Sequence, residues 1–134
     1  MLAAPPVSVT APMAQAIRPA APALAQQVAA LKTRLFRLIV EDRQKFAAGA
    51  KTLAEDMELA AAAQAHSDDM AKKRSFDTMN PDGNVGINTL LANPNFGGFV
   101  GENAAAQYFA PETGFDPDRM AQGFLDIWLA SPGH

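Results

Sequence analysis

With 134 residues, 49% of them apolar and many of those alanine, the chain is long enough for one domain with a core and too short for two. A net charge of −3 with no dense lysine or arginine patch excludes a nucleic-acid partner. The absence of cysteine excludes disulfides, zinc–thiolate sites and a thiol nucleophile. No stretch approaches the roughly 20 continuous apolar residues that cross a bilayer, so no transmembrane segment is expected.

Residues 1–27 contain Pro5, Pro6, Pro12, Pro19 and Pro22 and no acidic side chain. Proline at that density opposes both helix and sheet hydrogen bonding, so this segment is expected to be an extended, flexible tail. Ala23-Leu24-Ala25 has the small-x-small form of an export cleavage site, but a basic start is missing and prolines interrupt the apolar run. A linker or the remnant of an export segment is the reading that results.

From Val28 the pattern becomes helical. Val28, Leu31, Leu35, Leu38, Ile39 and Phe46 recur every three or four residues, with charged side chains between them, up to Gly49. Asp56 then caps a second predicted helix, whose inward face is expected to carry Met57, Ala60, Ala63, Ser67 and Met70. Lys72-Lys73-Arg74 closes it as favourable charge at the helix C-terminus. A long loop follows, with Pro81-Asp82-Gly83, Asn93-Pro94 and Gly97-Gly98 as turn signals. "GINTLLANP" can form about two helical turns within it. "AAAQYF", residues 104–109, reads as a short strand. Asp116-Pro117 starts a last helix, expected to bury Met120, Phe124, Ile127 and Trp128. Met57, Met70, Met79 and Met120 are read as packing residues.

Several chemistries are excluded by pattern. Ser67 and Ser131 lie in no G-x-S-x-G elbow. "GGFVGEN" follows no predicted strand and lacks a phosphate-loop lysine.

"LAEDMELAAAAQAHSDDMAKKRSF", "NPDG", "GENAAAQ" and "IWLASPGH" together resemble, in order and spacing, the CAP superfamily. This is the SCP-like domain of cysteine-rich secretory proteins, antigen 5 and plant PR-1 proteins, and the likeness is greatest to its cysteine-free bacterial branch. The resemblance spans roughly residues 33–134. It implies an α+β fold, a three-layer α/β/α sandwich, and divides the chain into the tail 1–27 and a partial domain 28–134. In the family, further strands follow the "SPGH" histidine. A single strand cannot satisfy its own backbone groups, so the chain is expected to be mostly helical and to be a C-terminally truncated domain. A homodimer completed by strand exchange is the alternative.

The resemblance further implies a cleft with two histidines and two acidic residues, which in some members holds a divalent metal such as zinc. Carried over by position, Glu102 of "GEN" and His134 of "SPGH" are the cleft candidates, with Asn103 beside them as a binding residue. The other histidine position falls on Thr78, and the second acidic position on Leu129 or Ala130. Half of the set is therefore vacant. Asp77 adjoins the vacancy but would point elsewhere in an extended segment. His134 is the only candidate metal-binding histidine, and at most weak zinc binding is expected, since catalytic zinc takes three protein ligands. His66 is read as a packing or capping residue of the second helix. Glu102 and Asn103 also admit a structural reading, closing a glycine turn.

The resemblance implies a secreted, periplasmic or envelope-associated protein. With the cleft incomplete, a binding module for a lipid, a sterol or a cell-surface ligand is preferred over an enzyme. A His/Glu-dependent or metal-assisted peptidase-like hydrolase and a non-functional fragment of a longer CAP protein are the alternatives.

Overall fold

A computed structural model describes residues 21–76 and 84–134 of the chain. Four helices stand in this part: α1 (Ala21–Phe46), α2 (Met57–Lys73), α3 (Val85–Leu91) and α4 (Pro117–Leu129). Among the described residues there is no strand. These residues form two compact units, one of residues 21–48 with 107–134 and one of residues 49–76 with 84–106.

In the first unit α1 packs on α4. Leu38 of α1 is buried against Ala121 and Leu125 of α4, with Leu31, Leu35 and Ile39 packed around them. The leucine spacing of α1 is thus the face expected from the sequence, while Val28 and Phe46 at its margins are exposed. α1 begins at Ala21, so residues 21–27, expected to be extended, are helical. Pro22 falls in the first turn, where a missing backbone N–H breaks no helical hydrogen bond. The rest of the expected tail, 1–20, lies outside the described residues.

Asp116 caps α4 as its position before Pro117 implies, accepting from the N–H groups of Asp118 and Arg119. The buried face of α4 differs from the expected one. Ala121 and Leu125 are buried, Met120, Phe124 and Trp128 only partly so, and Ile127 is 40% exposed. The small side chain of Ala121, fully buried, lets α1 come close, and that rotates the contact by one residue from the bulkier series. Phe124 and Trp128 stack on each other, ring centroids 6.1 Å apart.

The segment expected to be a strand, residues 104–109, forms neither strand nor helix. Gln107 donates from Nε2 to the Met120 carbonyl at 2.8 Å. A turn at Ala110–Gly114, where Gly114 has φ +68°, returns the chain so that the Phe115 N–H reaches Gln27 Oε1. Phe109 meets Phe115 edge to face with centroids 5.0 Å apart. Two glutamine amides and an aromatic pair therefore replace the β-ladder that the Tyr-Phe pair suggested.

In the second unit α2 packs on α3. Asp56 accepts from the N–H groups of Glu58 and Leu59, capping α2 as expected. At the other end Arg74 takes a left-handed conformation, φ 52°, and ties back to the carbonyls of Met70 and Ala71. The inward face of α2 includes Ala62, Ala65, His66 and Met70. Of the expected set, Ala60, Ala63 and Ser67 are exposed and Met57 is 87% exposed, so Met57 is no packing residue. Gly86 sets the contact: a Cβ there would overlap the Ala62 carbonyl group, so only glycine lets α3 lie this close. Leu90 completes the seam.

Candidate functional site

The second unit brings together three polar side chains from three places in the sequence. His66 projects from the inward face of α2 and is 4% exposed. Asn84, also 4% exposed, precedes α3 and caps it, its Oδ1 accepting from the Ile87 N–H at 3.0 Å. Its Nδ2 donates to Glu102 Oε2 at 3.1 Å. Both ends of the carboxamide are therefore used, which fixes its orientation.

The second carboxylate oxygen of Glu102, Oε1, lies 3.9 Å from His66 Nε2. That is too long for a hydrogen bond and within ion-pair range once the imidazole is protonated. Neither His66 nitrogen has a hydrogen-bond partner among the described residues. The Glu102 side chain is 21% exposed, so this carboxylate is held by Asn84, faces an imidazole and retains contact with solvent.

The sequence-predicted residues are distributed as follows. Glu102 lies in the second unit, with His66 as its imidazole neighbour. His134 belongs to the first unit, is exposed, and donates its backbone N–H to the Ser131 carbonyl at 3.0 Å. Asn103, Leu129 and Ala130 are exposed. Thr78 and Asp77 lie outside the described residues. Asn84 was not singled out from the sequence, although an asparagine directly before an apolar helical run is a recognisable cap signal.

His66 and Glu102 supply two donors where a zinc site requires three or four, so the pair does not fit a resident metal. Among the described residues no group of three or more histidine, cysteine, aspartate or glutamate side chains is placed to hold a metal ion.

A groove of about 420 Å³ runs between α2 and α3. Its floor is Ala61, Ala62 and Ala65 on one side and Gly86 and Leu90 on the other. Glu58, Thr89 and Asn93 supply its polar lining. The volume falls within the usual range for small-ligand sites, and the floor is apolar because the same small residues let the two helices approach.

No curated protein and no solved structure matches the chain significantly. The family model for CAP, the cysteine-rich secretory protein family, matches residues 36–134, which cover α2, α3, α4 and the C-terminal part of α1 together with Glu102 and Asn84. The chain therefore belongs to the CAP family.

Proposed function

We propose that the chain is an extracellular or envelope-associated CAP module that binds an apolar ligand of lipid or sterol type and does not hydrolyse it. The groove between α2 and α3 carries this reading: about 420 Å³, with an alanine, glycine and leucine floor suited to a hydrocarbon body. The burial of His66 supports binding over catalysis, since a 4% exposed imidazole offers little access to a substrate bond. A secreted location accords with family membership, and among the described residues no helix is long and apolar enough to cross a membrane. The three-layer sandwich of the family resemblance would place these helices as covering layers of a sheet.

The test is equilibrium uptake of a fluorescent sterol and a fluorescent single-chain lipid. Saturable binding is expected, weakened at least tenfold in Ala65→Phe, which fills the groove. Saturation that is absent, or unchanged in Ala65→Phe, overturns the reading.

One observation favours a second reading, peptidase-like hydrolysis. Glu102 Oε1 and His66 Nε2 are 3.9 Å apart, close enough to share a proton through one water. Cleavage of a peptide library by the purified chain, lost in Glu102→Ala, would put hydrolysis ahead of binding.

A further inference from the structure

We propose that Glu58 sets the head-group preference of the α2–α3 groove, which takes single-chain amphiphiles with a protonated amine head in preference to those with a carboxylate head. This rests on the groove being a ligand site, as inferred above. Among the described groove-lining residues Glu58 alone is charged, and none is a lysine, arginine or histidine. The Glu58 carboxylate makes no hydrogen bond or ion pair among the described residues, so it is available to a ligand.

The other polar lining groups are neutral and partly engaged. Thr89 donates its hydroxyl to the Val85 carbonyl at 2.8 Å, and Asn93 Oδ1 accepts from the Asn95 N–H at 3.0 Å. The N-terminus of α2 gives no compensating anion site, because Asp56 already occupies the N–H groups of Glu58 and Leu59. An amphiphile lying along the apolar floor therefore meets the Glu58 carboxylate as the unpaired charge among the described residues. An ammonium head gains an ion pair there, an alcohol is indifferent to the charge, and a carboxylate is repelled.

The experiment is calorimetric titration of the full chain with dodecylamine, dodecanol and dodecanoate, below their micelle concentrations, at neutral pH and low salt. The amine is expected to bind about two- to fivefold more tightly than the alcohol, and the carboxylate more weakly by a similar factor, as an exposed ion pair allows. This order should contract as ionic strength rises. Glu58→Gln should bring the three affinities together, whereas Glu112→Gln, the same charge change in the other unit, should leave the order as it is. Dodecanoate binding as tightly as the amine, or an amine preference that persists in Glu58→Gln, overturns the head-group assignment while leaving the groove a ligand site. Failure of all three probes to bind overturns the groove itself.

Discussion

Asn84 ties a helix terminus to the one carboxylate that faces a buried histidine, so its replacement has two separable effects. Asn84→Ala removes the α3 cap and the Glu102 contact and should cost about 1–3 kcal/mol, measured by urea denaturation. Asn84→Asp keeps an acceptor for the Ile87 N–H but sets a second carboxylate against Glu102 Oε2, and should leave α3 helical by NMR shifts while displacing the Glu102 side chain. Gly86→Ala should be more damaging than its single methyl suggests. The new Cβ meets Ala62 backbone, which cannot rotate away as a side chain can, so a loss of at least about 2 kcal/mol is expected in thermal unfolding. Arg74→Gly runs the other way: a left-handed arginine is strained where glycine is not, and a gain of up to about 1 kcal/mol is expected. At this scale the caps at Asp56 and Asp116 were legible in the sequence, because capping is a local interaction within three residues. The approach of His66, Asn84 and Glu102 was not, because it depends on how α3 lies on α2.

At the scale of elements, helix existence was easier to read than helix orientation. The leucines of α1 are large and regularly spaced, and they mark their own inward face. In α2 six of the 17 residues are alanine, so hydrophobic periodicity favours no face strongly, and the register is decided from outside by the close approach of Gly86. In α4 attention to bulk pointed to Met120, Phe124 and Ile127, yet the contact with α1 forms where the side chain is smallest, at Ala121. The irregular segment after Glu102 misled for a different reason. Tyr108 and Phe109 favour a pleated strand, but the amide of Gln107 instead hydrogen-bonds the Met120 carbonyl. Because Leu38 and Leu125 carry the α1–α4 contact, truncation to alanine at either should cost about 2–4 kcal/mol and lower amide hydrogen-exchange protection in both helices.

For the whole molecule, the buried hydrophobic side chains among the described residues are Leu38, Leu90, Ala121 and Leu125, and no large side chain is completely buried. Phe46, Phe99 and Tyr108 meanwhile stand largely exposed. Where so little apolar area is buried, as among these described residues, stability should respond strongly to anything that adds burial. An amphiphile in the α2–α3 groove does so. At a hundredfold excess over its Kd it should add about 2.7 kcal/mol and raise the melting temperature by roughly 10 °C, readable by differential scanning calorimetry. Family membership was legible because short segments keep a fixed order along the chain, a property of sequence alone. Which imidazole meets Glu102 is a property of packing.

The double use of Asn84 also supplies a gauge that needs no label. The Ile87 N–H is held by the same carboxamide that holds Glu102, so that proton can exchange with solvent only when the Asn84 side chain lets go of the helix. Its exchange rate, one peak in an NMR spectrum, therefore times how often the side chain that holds the carboxylate beside His66 leaves the helix end.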